Sequence, residues 1–359
     1  MRAPRARAGG ARGAGDGEGT SPASGERVTL SDVAAEAGVS LATISKVLNG
    51  RPDVAPETRA RIEQLVERHG YLRRGAGPRR STLLEVVFHA LESAWALEIV
   101  RGAESAARER GLSLVLTESG SRHSPDSGWI DGVLKRRPAG VVLVFSDLDP
   151  VHGARLRSSG IPFAIIDPAG DPSPDVPSVG STNWSGGLAA TRHLIDLGHR
   201  RIAAITGPED MMCSRARLDG YRTAMLAAGL TIDEDHVEFG DFQVDGGRAA
   251  ALRMLASENP PTAIFAGSDL QALGVFEAAR LLGLTVPGDV SVVGYDDLPL
   301  AEWTSPRLTT IRQPLRDMAE TAVRLVLEPR QEGPPARLDL ATHLVVRDST
   351  ATPRRSRVP

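Results

Sequence analysis

The sequence predicts two α/β lobes, each built on a doubly wound parallel sheet, preceded by a small all-α helix-turn-helix unit. Three observations predict this. Residues 28–71 hold three short helical patterns punctuated by glycine and cap residues. From Leu83 onward, apolar runs of strand length alternate with amphipathic stretches. Seven such runs occur, more than one open sheet of a small domain needs. A chain of 359 residues, 41% hydrophobic and 24% charged, has the length and apolar content to bury these cores.

In chain order, residues 1–25 are almost entirely Arg, Ala, Gly, Pro and Ser, and are expected to form a disordered tail. Residues 26–71 form the helical unit. LSDVAAEAG reads as a helix with Val33, Ala34 and Ala37 on one face, ended by Gly38. After the turn, Ser40 caps a second helix, LATISKVLNG, which buries Ile44, Val47 and Leu48 and stops at Asn49-Gly50. A third helix opens at Pro56, a favoured first-turn residue, and carries Ile62, Leu65 and Val66 inward before ending at Gly70. Two short helices joined by a Gly-containing turn and braced by a third make a helix-turn-helix. Residues 72–82, LRRGAGPRRST, read as a linker or hinge.

The body then runs through LLEVVF, LSLVLT, AGVVLVF, PFAIID, RIAAIT, TAIFAG and VSVVGY, with helical stretches such as GGLAATRHLIDLG and DLQALGVFEAARLLG between them. A break near Pro177–Trp184 divides it into two lobes facing a cleft. Such sheets bind ligands at the carboxyl ends of their strands.

Charge separates the two parts. Residues 1–80 hold 14 Arg and Lys against nine Asp and Glu, a balance of +5 in a chain whose net charge is −3, leaving the body at −8. A basic front on an acidic body points to a polyanion partner for the front alone. The single cysteine, Cys213, excludes an intramolecular disulfide or a Cys-ligated zinc cluster. No run approaches the roughly 18 apolar residues that span a membrane, and the arginines near the N-terminus have no apolar segment behind them. A cytoplasmic protein without membrane contact is expected.

On the second helix, Leu41, Ala42, Ser45 and Lys46 fall at i, i+1, i+4 and i+5, opposite Ile44, Val47 and Leu48. A face offering an apolar contact, a hydroxyl and one cation suits the major groove, where lysine donates to guanine and apolar groups touch the thymine methyl. Thr29, Ser40, Thr43, Asn49 and Thr58 sit at helix ends, where hydroxyls and backbone N–H groups reach phosphates.

VTLSDVAAEAGVSLATISKVLNG and VAPETRARIEQLVERHGY resemble the DNA-binding headpiece of the lactose-repressor family of transcription regulators. The likeness continues through GGLAATRHLIDLGHRRIAAITGP, SRARLDGY, TAIFAGSDLQALGV, VPGDVSVVGYDDLPLA and LTTIRQP. It implies a homodimer on a pseudo-palindromic double-stranded DNA operator and a body like the periplasmic sugar-binding proteins. By that resemblance Leu41, Ala42 and Lys46 match base-reading positions. Thr29, Ser40, Thr43, Ser45, Asn49 and Thr58 match phosphate-contacting ones. The effector-binding and dimerisation domain is then 83–350, its N-lobe about 83–181 plus 313–331 and its C-lobe about 182–312 plus 340–350, with 351–359 a tail. The linker departs from the family: it is shorter, contains Gly75, Gly77 and Pro78, and has no Leu between Arg73 and Thr82. A Leu wedge into the minor groove is therefore expected to be absent or weakened.

The expected ligand is a small molecule, most simply a mono- or oligosaccharide, because an aromatic platform with charged or amide neighbours suits a sugar. Candidates are Trp95, Asp167, Trp184, Arg217, Phe242, Ser268, Asp269 and Asp296, most of them just past a strand's carboxyl end. Arg217 could instead be a structural ion pair with Asp219 or Asp167. One of Asp296 and Asp297 could simply cap a turn. The resemblance places Arg217, Phe242 and Asp296 where relatives hold their effectors, with Ala96 standing at a common second aromatic and Ser268 at a common Asn. A purine or nucleoside effector, or a ligand acting as co-repressor, is the alternative. Trp129 is expected in the core, and Trp303 in the core or the cleft.

Enzyme classes are excluded by motif. The body has no G-x-G-x-x-G between strand and helix, no G-K-[ST] loop and no G-x-S-x-G elbow. His193 and His199 lie six apart, the wrong spacing for a helical zinc pair, and HLIDLGH reads as a helix end. No cofactor or metal is expected.

Overall fold

The computed structural model describes residues 30–48, 54–68, 81–91, 93–120, 128–144, 148–168, 170, 175–328 and 335–354. The chain divides into two compact units, Met1–Arg79 and Arg80–Pro359. Residues 1–25, Thr29, Asn49, most of the linker with its missing Leu wedge, and the side chains of Leu48 and Val66 lie outside the described residues.

In the first unit, α1 (Leu30–Ala37), α2 (Leu41–Leu48) and α3 (Pro56–Arg68) enclose a core of Val33, Ala34, Ala37, Ile44, Val47, Ile62 and Leu65. Gly38, at φ +63°, turns the chain between the first two helices. The Gly38 N–H donates to Ala35 O at 3.2 Å and the Val39 N–H to Ala34 O at 3.0 Å, which closes the end of α1. Ser40 Oγ accepts from the Thr43 N–H at 3.2 Å, the expected N-cap of α2.

The second unit holds two six-stranded sheets. The first contains β1 (Leu83–Phe88), β2 (Ser113–Glu118), β3 (Gly140–Val144), β4 (Phe163–Ile166), β5 (Ser178–Ser181) and β11 (Arg337–Leu340), in the parallel order β2–β1–β3–β4–β5–β11. Helices cover both faces. Leu84, Val86 and Phe88 point to α4 (Ala94–Glu109) and α12 (Leu315–Leu327). Val87 and the alternate residues of β3 and β4 point to α5 (Gly128–Arg136) and α6 (Pro150–Ser158), where Trp129 is buried as expected. Strand alternation thus sorts each side chain to a face.

The second sheet repeats the order. It contains β6 (Ile202–Thr206), β7 (Val237–Phe239), β8 (Ala263–Ala266), β9 (Ser291–Asp296), β10 (Thr309–Arg312) and β12 (His343–Val345), arranged β7–β6–β8–β9–β10–β12. Helices α7 (Asn183–Asp196) and α8 (Met212–Ala227) pack on one face, and α9 (Val244–Leu255) and α10 (Asp269–Leu281) on the other. Its edge strand β12 runs antiparallel to β10, a departure from the all-parallel expectation.

The five strands that no long apolar run announced, β5, β7, β10, β11 and β12, have only three or four residues each; β7, β11 and β12 are edges, and β5 and β10 lie next to the edge. Three crossovers join the lobes: β5 to α7, β10 to α12, and β11 to β12. They are tied to one another. Thr182 Oγ1 accepts from the Thr342 N–H at 2.9 Å, and the Ser181 hydroxyl donates to Gln313 Oε1 at 2.7 Å.

Two expectations are corrected or refined here. Trp303, on the short helix α11 (Leu300–Trp303), is 80% exposed, so it belongs to neither core nor cleft; the helix turns Ala301 inward and leaves Trp303 on its outer side. His199 is buried past the end of α7, its Nδ1 2.8 Å from Thr262 Oγ1 and its Nε2 2.9 Å from Ala351 O, so it fastens the C-terminal segment to the lobe.

Candidate functional site

Identical strand orders place the topological switch point at the carboxyl ends of β1 and β3 in one lobe and of β6 and β8 in the other. A cavity of about 190 Å³ opens there. The N-lobe lines it with His89, Ser93, Trp95 and Ala96 at the start of α4. The C-lobe lines it with Met211, Cys213, Arg217, Phe242, Ser268, Leu270 and Asp296.

Arg217 is the centre of this wall and only 3% exposed. Its Nε donates to Asn183 Oδ1 at 2.9 Å and its Nη1 to Gly267 O at 2.6 Å. The guanidinium lies 3.8 Å from the centre of the Tyr295 ring and 5.3 Å from that of Phe242. Asp296 Oδ1 stands 4.0 Å away and accepts from Gln313 Nε2 at 2.6 Å. A buried cation stacked on aromatic rings and held by neutral acceptors keeps its charge without a tight ion pair. The alternative partner Asp219 makes no contact of this kind among the described residues.

Packing of α7 against α8 sets the position of Arg217. A Cβ on Gly187 would lie 2.1 Å from Arg217 O, so only glycine lets the two backbones approach this closely. Asn183, Tyr295, Gln313 and Gly187 were not among the sequence-derived candidates. The Gly186-Gly187 pair in NWSGG was the available signal for the close approach.

Burial governs the electrostatics. It pushes the Asp296 carboxyl up to about 7, opposed by Arg217 and the Gln313 hydrogen bond. It raises the Cys213 thiol to about 11, so this cysteine stays protonated. Asp297 serves another purpose: it pairs with Arg312 and with Arg347 Nη2, the latter at 2.7 Å. Of the two adjacent acids, Asp296 faces the cavity and Asp297 holds β10 and the C-terminal segment.

The structure brings five of the eight effector candidates to this cavity: Trp95, Arg217, Phe242, Ser268 and Asp296. Ser268 also caps α10, accepting from the Gln271 N–H at 3.0 Å, and its hydroxyl donates to Phe242 O at 2.9 Å, which holds the Phe242 loop. Phe242 adopts φ +64°. Asp269 is not part of the lining; its Oδ2 accepts from the Leu298 N–H at 2.7 Å and its Oδ1 from Thr310 at 2.5 Å, so it braces the turn that presents Asp296 and Leu298. Asp167 and Trp184 line a neighbouring groove of about 470 Å³.

In the helical unit, Leu41, Ala42, Ser45 and Lys46 are exposed on one face of α2, while Ile44 and Val47 are buried beneath them. Thr43 and Thr58 are half-buried, and Ser40 is exposed at the cap. The arrangement is an apolar, hydroxyl and cationic strip on a short helix, the width that fits a major groove.

Residues 29–74 match the model of bacterial regulatory proteins of the lacI family, and residues 191–350 match the periplasmic binding protein-like domain. The transcriptional regulator CelR of Thermobifida fusca is 38% identical over 337 residues, covering 90% of this chain and 98% of that protein. A solved CelR–cellobiose complex is 36% identical and superposes with a TM-score of 0.68 over 90% of this chain and 100% of that one. The lac repressor dimer bound to operator and the anti-inducer ONPF superposes with a TM-score of 0.67 at 28% identity, covering 91% and 100% of the two chains. With a headpiece and a two-lobed domain that both match, and a relative alike over nearly its whole length, this chain belongs to the lacI family of bacterial regulatory proteins: it is a DNA-binding transcription regulator and not an enzyme.

Proposed function

We propose that this chain is a cytoplasmic, homodimeric repressor that leaves a pseudo-palindromic operator when a sugar fills the cleft between its lobes. The observation that carries the reading is the buried Arg217, which lies over the rings of Phe242 and Tyr295 with Asp296 4.0 Å away and is opposed across one cavity by Trp95 from the other lobe. A guanidinium and a carboxylate donate to and accept from adjacent hydroxyls, and aromatic faces pack the apolar C–H side of a ring. The cellobiose held by the CelR neighbour supports a sugar as the ligand class.

Leu41, Ala42 and Lys46 read bases; Thr29, Ser40, Thr43, Ser45, Asn49 and Thr58 hold the phosphates that fix their register. A ligand touching both lobes favours the closed arrangement by its differential affinity for the two states. The three short crossovers are the hinge that absorbs the motion. Closure would change the relation between the two N-lobes of the dimer, and with it the spacing of the headpieces.

Fluorescence anisotropy on DNA from the gene's own upstream region, against scrambled DNA, tests this reading. Specific binding released by a sugar is the expected result. Binding tightened by ligand would make the protein co-repressed. Equal and steeply salt-sensitive binding to both DNAs would leave only phosphate contacts.

A further inference from the structure

We propose that Arg347, in the segment that follows β12, is a positioning residue of the effector site. From outside the cavity it holds Asp297, and through Asp297 the turn that aims the Asp296 carboxylate at the ligand. This inference rests on the effector reading above and deepens it.

The turn needs holding. Asp296 and Asp297 are consecutive residues with positive φ, +111° and +57°. A residue with a Cβ is disfavoured there, and such a backbone persists only where its surroundings fix it. Relaxation of either residue would swing the Asp296 carboxylate, which stands 4.0 Å from Arg217 Nη1 and accepts from Gln313 Nε2.

Three side chains grip the turn. Asp269 accepts from the Leu298 N–H just beyond it. Arg312 of β10 pairs with Asp297 Oδ2, but its side chain is 47% exposed, so water screens that pair. Arg347 differs in being buried: its side chain is 8% exposed against 4% for Asp297, and its Nη2 lies 2.7 Å from Asp297 Oδ1. Its Nη1 donates to Leu308 O at 2.9 Å, and its Nη2 is also 3.3 Å from Glu302 Oε1. One guanidinium therefore ties the turn to α11 and to the residue before β10. A buried carboxylate depends on such a partner, and without it must move toward water or take up a proton.

The segment that carries Arg347 is itself anchored. The Arg347 N–H donates to Thr309 Oγ1 at 2.9 Å. Ser349 is fully buried; its O accepts from the Val292 N–H at 2.8 Å and its hydroxyl donates to Val292 O at 2.6 Å. These bonds clamp the segment onto β10 and onto β9, the strand that leads into the turn. Arg347 is not among the residues that line the cavity, so its influence on a ligand passes through Asp297. The neighbouring Asp348 pairs instead with Arg307 at 2.7 Å, both side chains more than half exposed, and provides an internal control.

The test uses the full chain as wild type and as Arg347→Met, Arg347→Lys and Asp348→Ala, the last loosening the same segment without touching Asp297. Crystals of the Arg347→Met variant are expected to show the Asp296 carboxyl swung out of reach of Gln313, with the rest of the lobe in place. Calorimetry with cellobiose is expected to read a tenfold or greater loss of affinity for Arg347→Met. Arg347→Lys, which keeps the charge, should lose threefold or less, and Asp348→Ala nothing. Operator affinity without sugar should stay within twofold in all three. Should Arg347→Met not fold, Arg347→Gln, which keeps a donor and lacks the charge, takes its place. An unmoved Asp296 in the variant crystal, wild-type sugar affinity with only a lowered melting temperature, or an equal loss in Asp348→Ala would overturn the proposal. If the wild type binds no cellobiose, the place of Asp296 in the variant crystal decides alone, so the positioning role and the sugar reading fail separately.

Discussion

The two functional surfaces of this molecule solve opposite problems. The candidate DNA-reading residues of the headpiece, Leu41 and Lys46 among them, are exposed above a core whose described residues are two alanines and five branched aliphatics. The candidate effector residues of the cleft, Arg217 and Asp296, are buried, each held by hydrogen bonds to neighbours. DNA brings its own charge and fixed shape, so the protein needs only a complementary strip on a short stable helix. A small ligand binds groups that are already withdrawn from water, so the protein must hold those groups with its own hydrogen bonds before the ligand arrives. Exposure marks one candidate site and costly burial the other.

Separating the two surfaces by mutation is the most direct challenge. Arg217→Ala should have the largest effect, weakening sugar binding by 100-fold or more in calorimetry, since it removes a charged donor worth about 3 kcal/mol or more when buried. Operator affinity by anisotropy should stay within about twofold. Loss of both would break the division between the surfaces.

Lys46→Ala is the converse test. It should weaken operator binding by about 5- to 150-fold, the 1–3 kcal/mol of a base-reading contact, with the sugar affinity and melting temperature unchanged. An equal loss on scrambled DNA would make Lys46 a phosphate contact instead.

The acidity of the cleft sharpens the comparison. Burial raises the Asp167 carboxyl to about 6, with Arg217 opposing the shift and Asp339 adding to it. Between its unfolded value near 4 and about 6, the folded state holds more protons than the unfolded one. Stability therefore falls as pH rises through this window and levels off above it. Asp167→Asn should flatten part of that slope and raise stability at pH 7.5 by about 2 kcal/mol, read from denaturant melts across pH.

Ser40→Ala should have the smallest effect. Removing the N-cap of α2 should cost the headpiece about 1 kcal/mol in denaturant melts and leave the body's transition unmoved.

Much of this organisation was legible in the residues. Gly38, Ser40 and Pro56 punctuate the headpiece helices because their backbone and side-chain chemistry act locally. The face carrying Leu41, Ala42, Ser45 and Lys46 followed from a period of 3.6 alone. The seven apolar runs became strands because a parallel sheet buries both faces. The short strands β5, β7, β10, β11 and β12 carried no such signal. SVGS or RLDL pairs only because a neighbouring strand presents an unfilled edge.

Within the cleft, position past a strand end was readable, but orientation was not. Asp269 follows Ser268 directly, yet it turns to Leu298 and Thr310 while Ser268 faces the cavity. Asp296 and Asp297 are adjacent acids with different partners. Trp184 and Trp95 both begin helices, and they line different spaces.

The periodicities, the caps and the family's motifs were readable along the chain, because they depend on interactions within a few residues. Which side chains meet follows instead from the packing of distant elements. Arg217 meets Asn183, Gly267 and Tyr295 through the close glycine contact of α7 and α8 and the sheet that carries β9. Asp167 comes beside Asp339 because β11 returns to the first sheet from the far end of the chain. Those pairings join residues dozens to more than a hundred positions apart, and no local preference encodes them.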